Sequence, residues 1–598
     1  MILIDYLIII GYLLILVGIG IYLQHKASRS TEAFFLGDKN LPWWALGASG
    51  MASNLDVSGT MIIAALVYAM GVQGFFIEIR GGVVLILAFF MIFMGKWNRR
   101  ANVMTIAEWM EFRFGTGAQG QAARILAAVA QLTFAVWAIS YFIQGAGIFL
   151  SQMLGISPDL AGILMITLCA FYAALSGLYG VVYTEVFQGV LILVVVVYTV
   201  SHVMLNITLP PEFMVSVPSG DGTFIQVKQT LSDWVNFLPK WEMSMPGEYS
   251  QYNLIGIATM FYLLRSTIDG MCGSGGYMMQ RFMAARNERE VGLLSVFWIF
   301  LLSFRWPFIM AIAILAVSLS AQGKVIENPE VVLPTVLMEL FPAGIKGLLV
   351  AGLLAAAMST YVAIVNSGAA YWVNDLYQRF LKPDADRKSL ILHSRVASVA
   401  IVILGLLSTY AFKSLNDVWG FLTMGFGVGL IVPQFIRWYW WRFNGFGYAG
   451  GTFVGMLIAI VLRFVIGDFT EMQMFFITAA VTFMGSILIS LMFPATDMDT
   501  LKAFYIRTRP FGFWGPVRAL VTADVDMAAV NRENRRDILS TVVAVPWMLF
   551  MGITPMLFVT KQWAYFGYAA AILAVLTTIL YLNWYRHLNQ SGMEPTDQ

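Results

Sequence analysis

The chain has 598 residues, 59% of them hydrophobic and 12% charged, with a mean hydropathy of +0.75. A soluble domain carries about 25% charged residues, so this composition excludes a water-soluble globular protein. A net charge of +2 gives no sign of a nucleic-acid partner, and Cys169 and Cys272, both in apolar runs, exclude a disulfide framework.

About 20 apolar residues cross a bilayer as a helix, and by that measure the chain holds about fifteen spans. In order they cover residues 2–24, 41–69, 74–95, 121–150, 154–176, 181–204, 252–276, 290–320, 345–374, 395–414, 416–436, 448–468, 472–493, 541–560 and 563–585. The first run has neither a basic stretch before it nor a small-residue cleavage site, so it is expected to be a retained membrane helix. The second and seventh runs are interrupted. One reads GASGMASNLDVSGT and carries Asp56; the other reads RSTIDGMCGSGG with Asp269 at its head. Irregular backbone at membrane depth survives only where protein or a water-filled cavity satisfies its polar groups. A pair of interrupted spans in corresponding positions of two halves points to the binding site of a secondary transporter.

With the N-terminus outside, the inner segments hold most of the 36 lysines and arginines. The outer ones hold Lys228, Lys240, Lys324, Lys346, Lys413 and Lys561. That asymmetry orients the chain with its C-terminus in the cytoplasm. Spans two to six and seven to eleven each open with an interrupted helix. Five is odd, so the second group inserts upside down relative to the first. The expected architecture is all-α and integral to the membrane, with inverted repeats at about 41–204 and 252–436, one extra helix before them and four after. Residues 1–493 form the core with its N-terminal helix, 494–540 a cytoplasmic connection, and 541–598 two further helices and a short tail. In the connection, LKAFYIRTRPFGFWGPVR (501–518) interleaves bases with aromatics and is expected along the inner membrane surface. The outer 205–251 loop contains LSDWVNFLPKW, a short amphipathic segment.

Five segments resemble the sodium:solute symporter family, which includes the sodium/sugar, sodium/proline and sodium/sialic acid carriers. They are FFLGDKNLPWWALGASGMASN (35–54), SGLYGVVYTEVFQG (176–189), QRFMAARN (280–287), AGLLAAAMSTYVAIVNSGAAYWVNDLYQRF (351–380) and WWRFNGFGYAGG (440–451), in family order. The resemblance implies a LeuT-like five-plus-five fold, a monomer as the functional unit in the cell membrane, and sodium-coupled uptake of a small polar organic solute by alternating access.

It also implies a sodium site. Sodium prefers oxygen ligands, and a broken helix offers carbonyls freed from their partners. The family's hydroxyl pair falls on Ser359-Thr360, with the carbonyl of Ala356 one turn before. In the ungapped register the matching carbonyls on the first broken helix are Ala52 and Leu55. DVSG (56–59) also resembles a motif of the proline carriers, and that register gives Asn54 and Val57; the ungapped one is preferred. A second sodium site of the family's design is not expected, because Val362 and Ala363 stand where its hydroxyls belong. Glu185, at the position of its acid, is free to pair with a cytoplasmic-side arginine instead.

A charge within the bilayer is costly, so each one is a functional candidate. Glu78 matches a hydroxyl-binding position of the sugar carriers, whereas Gly59 stands where those carriers have glutamine. Arg80, two residues from Glu78, is expected on a different helix face and not to pair with it. Arg265 and Asp269, four apart, have the spacing of an ion pair, either as a lock or as part of the cargo site. Asp56 has three readings: contact with sodium, contact with cargo, or a cap for the broken helix. Trp419 is a candidate stacking wall. Asp56, Glu78, Asp269 and Trp419 are therefore the candidate cargo residues, and the buried charge leans toward a charged or zwitterionic solute. A sensor that uses the same solute-binding fold without net transport is the alternative. An enzyme is not expected: His25, His202, His393 and His587 have no metal-ligand spacing, and no nucleophile motif accompanies the carboxylates.

Overall fold

The computed structural model describes residues 1–27, 41–101, 103, 106–173, 178–273, 277–467 and 469–590. Ten of its helices are long and apolar enough to cross a membrane, and eleven if the bent pair Trp43–Ser53 and Val57–Met70 counts as one span. The other expected spans, 2–24, 74–95, 154–176 and 252–276, are helical over most of their described residues. They are shorter, more polar, or interrupted, and so fall outside that count.

The first interruption has a local cause. The Trp43–Ser53 helix ends in Asn54, and the chain turns through Leu55 before Asp56 accepts a hydrogen bond from Gly59 N–H at 2.7 Å and starts the next helix. The two halves meet at 60°. Gly50 lets the first half press against Trp298, whose ring occupies the place a Cβ would take. The Trp298 indole also donates to Asn54 Oδ1 at 2.9 Å and braces the break. The second interruption follows Ile255–Cys272, where Gly273 takes φ +65°; residues 274–276 of this interruption lie outside the described residues. The carbonyls freed at the helix end are claimed from the 415–439 segment: Tyr439 OH donates to Met271 O at 2.7 Å, and Trp438 Nε1 to Cys272 O at 2.9 Å.

A third interruption departs from the sequence reading, which took 74–95 as one continuous span. The Gln73–Ile77 helix tightens into a 3-10 turn at Glu78–Arg80 and passes through Gly81, Gly82 and Val84 at φ +56° before helix resumes at Ile86. Ser266 Oγ donates to the freed carbonyl of Ile79 at 2.5 Å. With the α spacing lost, Arg80 does pair with Glu78 (3.0 Å), contrary to expectation.

The membrane-spanning architecture is all-α as expected, and outside the spans Glu212–Pro218 and Phe224–Thr230 form an antiparallel hairpin, Glu212 opposite Thr230, in the 205–251 loop. The four-residue helix Leu231–Trp234 that follows is anchored, its buried Trp234 donating to Tyr68 O at 3.0 Å and accepting Val72 N–H at 3.0 Å. Segment 501–518, expected along the membrane surface, packs four of its side chains into the protein. Phe504, Tyr505, Trp514 and Val517 are fully buried, beside Trp109 and Trp438 of the core helices. Trp514 Nε1 donates to Trp438 O at 2.9 Å, and Arg113 stacks over Phe504 and Trp514 at about 5 Å. These aromatics find rings and a guanidinium inside the protein.

The N-terminal helix Leu3–Ala27 is pinned at its start. Asp5, 1% exposed, accepts N–H bonds from Gly344 at 2.8 Å and Gly347 at 3.1 Å, at the head of the Ile345–Ala370 helix.

Candidate functional site

The Ile345–Ala370 helix passes the first break. Thr360, buried, directs its hydroxyl to Ser53 O at 3.2 Å and to Ala356 O in its own helix at 3.1 Å. One hydroxyl and two carbonyls, drawn from two different elements, thus come together at the break. Ala52 O accepts Leu55 N–H at 3.1 Å, in the turn that exposes the neighbouring carbonyls. The side chain of Ser359 lies outside what the structure describes.

Near this point lie the cargo candidates. Tyr141 OH donates to Asp56 Oδ1 at 3.4 Å, and Trp419 stacks on Tyr141 with ring centroids 5.3 Å apart. A Cβ on Gly59 would meet Tyr141 OH at 3.0 Å and both Arg305 Nη2 and Asp56 Oδ2 at 3.1 Å. Arg305 also donates to Gly82 O at 3.3 Å, and a Cβ on Gly82 would collide with Glu78 Oε2. Asp56, Glu78 and Trp419 therefore border one region, around the glycines of the second and third spans. Sequence reasoning missed Tyr141 and Arg305, which lie on other helices; the charge of Arg305 within a span was the available signal. A π-helical stretch, Phe421–Phe426, follows Trp419 closely, and such stretches are frequent at functional sites.

Asp269 lies one helical turn further along, paired with Arg265 at 3.0 Å as its spacing suggested. Arg265 Nε donates to Thr423 O, one turn after Trp419, at 3.2 Å. Asp269 thus reaches the region of Trp419 through Arg265.

On the far side of the first break, Glu185 pairs with Arg281 at 2.8 Å. Arg281 also donates to Ser49 Oγ at 2.9 Å and Ser53 Oγ at 2.7 Å, and Ser53 Oγ donates to Glu185 Oε1 at 2.8 Å. Both charges are about 2% exposed or less. The pair ties the first half-helix to the Leu178–Asn206 and Tyr277–Met283 helices.

A second buried network centres on Arg80. Its guanidinium reaches Glu78, Glu471, Tyr252 OH at 3.0 Å and Asn416 Oδ1 at 2.5 Å. Asn416 N–H in turn donates to Glu330 at 3.0 Å, in the Pro329–Val331 turn. Burial pushes the Glu330 carboxyl up to about 7, against the lowering effect of the backbone N–H groups it accepts.

Broken helices, carbonyls facing a hydroxyl at the break and charges converging beside them define a membrane transporter. Residues 34–459 match the sodium:solute symporter family, and the chain belongs to it. It is 26% identical over 490 residues to a sodium/glucose cotransporter of Vibrio parahaemolyticus, covering 77% of this chain and 85% of that protein. It is 26% identical over 423 residues to a sodium/mannose cotransporter of Bos taurus, covering 67% and 68%. Among solved structures, a Na+-coupled sialic acid symporter in a substrate-bound outward-open state superposes with a TM-score of 0.64 at 20% identity, over 82% of this chain and 98% of that one. That likeness establishes the fold.

Proposed function

We propose that this chain imports a small polar organic solute together with one sodium ion by alternating access. The sodium ligands in this reading are the carbonyls of Ala52, Leu55 and Ala356 and the hydroxyls of Ser359 and Thr360. Asp56, Glu78, Asp269 and Trp419 recognise the solute. The observation that carries the reading is the Thr360 hydroxyl lying within hydrogen-bond distance of Ala356 O, one of these sodium ligands, and of Ser53 O, the carbonyl next to Ala52 at the break, where a hard cation finds oxygens from two elements. A single sodium is supported by Glu185, whose carboxylate is engaged by Arg281 and Ser53. The two halves, 41–204 and 252–436, act as inverted repeats, with the N-terminus outside and the C-terminus in the cytoplasm.

One sodium ion carried down a tenfold gradient and a potential of about 100 mV supplies about 3.7 kcal/mol. For a neutral or zwitterionic solute, that limits accumulation to about several hundred-fold. A thermal-shift screen of sugars, amino acids and organic acids in sodium and in potassium tests the proposal. The expected result is stabilisation by one solute class that requires sodium. Stabilisation of equal size in potassium would remove the coupling.

A further inference from the structure

The Glu471–Met492 helix begins beyond the 34–459 stretch that the family accounts for, yet its first residue reaches a deeply buried charge network. Thr470 caps this helix and Gln473 returns a bond to Thr470 N–H, which fixes the first turn. The Glu471 carboxylate then uses the space left by Gly420, where a Cβ would lie 2.7 Å from Oε1. It meets Arg80 and accepts hydrogen bonds from Tyr252 OH at 2.9 Å and Tyr262 OH at 3.4 Å.

The consequence falls on Glu78. An arginine left to itself grips a carboxylate through both oxygens, fork to fork. Here Arg80 Nε and Nη2 both donate to a single oxygen, Glu78 Oε1, at 3.2 and 3.0 Å. The other terminal nitrogen is held by Glu471 and Tyr252. Glu78 Oε2 is turned toward Gly82, beside Arg305. Two carboxylates share one guanidinium, so the trio keeps one net negative charge where its side chains are at most 10% exposed.

We propose that Glu471 is a positioning residue for solute recognition: by holding Arg80 to one side, it leaves Glu78 Oε2 to accept a hydrogen bond from a hydroxyl or ammonium group of the solute. The inference rests on the reading of Glu78 as a solute ligand. Without the Glu471 charge, Arg80 closes on both oxygens of Glu78, and the solute's donor loses its acceptor.

The test uses the full chain in proteoliposomes. The probe is whichever hexose, amino acid or sialic acid gives the wild-type protein its largest sodium-dependent thermal shift. Glu471→Gln keeps the shape and removes the charge; it is expected to raise KM about tenfold while kcat and the half-saturating sodium stay within about twofold. Gly420→Ala pushes the carboxylate aside without altering any charge and is expected to raise KM in the same direction. A lower Tm with unchanged KM in both variants would make Glu471 a helix anchor and overturn the inference. A wild-type protein with no sodium-dependent ligand in the panel overturns the functional reading, and this inference with it.

Discussion

The Thr360 hydroxyl donates to the Ser53 carbonyl at 3.2 Å, joining a continuous helix to a broken one. In the proposed reading, a sodium ion takes the place of this bond. Thr360→Ala removes one of about five oxygen ligands and is expected to raise the half-saturating sodium concentration about tenfold, while Thr360→Ser stays near wild type. Sodium titration followed by thermal shift, with potassium as control, measures this without any solute. Equal sodium affinity in wild type and Thr360→Ala would move the ion elsewhere.

Glu185 and Arg281 are both buried, so removing one partner leaves a charge uncompensated. Glu185→Gln is expected to cost about 3–5 kcal/mol. The double variant Glu185→Gln/Arg281→Gln should recover part of that loss, because no lone charge remains. A double-mutant cycle on thermal unfolding of the purified protein reports the coupling; additive losses would show that the two side chains act separately.

Glu330 makes stability depend on pH. Its carboxyl sits at about 7 in the folded chain, against an ordinary value near 4.5, because burial disfavours the charged form. Between those values the folded state keeps a proton that the unfolded state has released. Stability is therefore highest below about pH 4.5 for this group, falls as pH rises to about 7, and is level above; the whole change amounts to about 3 kcal/mol. Glu330→Gln should flatten that part of the profile and raise Tm at pH 8 relative to wild type. A Tm difference that is constant between pH 5 and 8 would contradict this.

Trp514 is fully buried and donates to Trp438 O. Trp514→Ala is expected to cost about 3–5 kcal/mol through the cavity and the lost ring contacts. Trp514→Phe, which retains most of the packing and loses only the hydrogen bond, should cost about 1 kcal/mol. Detergent-solubilised Tm values separate the two. Near-identical values for wild type and Trp514→Ala would mean that the segment is only loosely held.

The legible features were those whose cause is local. Gly, Ser and an acid inside an apolar run marked the breaks at Asp56 and Gly273, and four-residue spacing foretold the pairing of Arg265 with Asp269. The turn at Glu78–Arg80 escaped because the run reads as one apolar helix, and α spacing then sent Arg80 the wrong way. Tyr141, Arg305 and Glu471 gain their meaning from residues more than eighty positions away, which one sequence does not pair. Bases alternating with aromatics in 501–518 suit a lipid surface and a protein cleft equally well. Arg113, Trp438 and their neighbours supply the cleft that its buried aromatics fill.

Trp234 hooks the 205–251 loop onto the Val57–Met70 helix: its indole holds Tyr68 O, its carbonyl holds Val72 N–H, and Gly71 at φ +62° leaves room for both. Any tilt of that buried helix is therefore carried into the hairpin, whose turn at Asp221–Gly222 is exposed. A spin label or fluorophore on this exposed turn becomes a remote pointer to the tilt of that helix, while every residue near the proposed cargo site remains untouched.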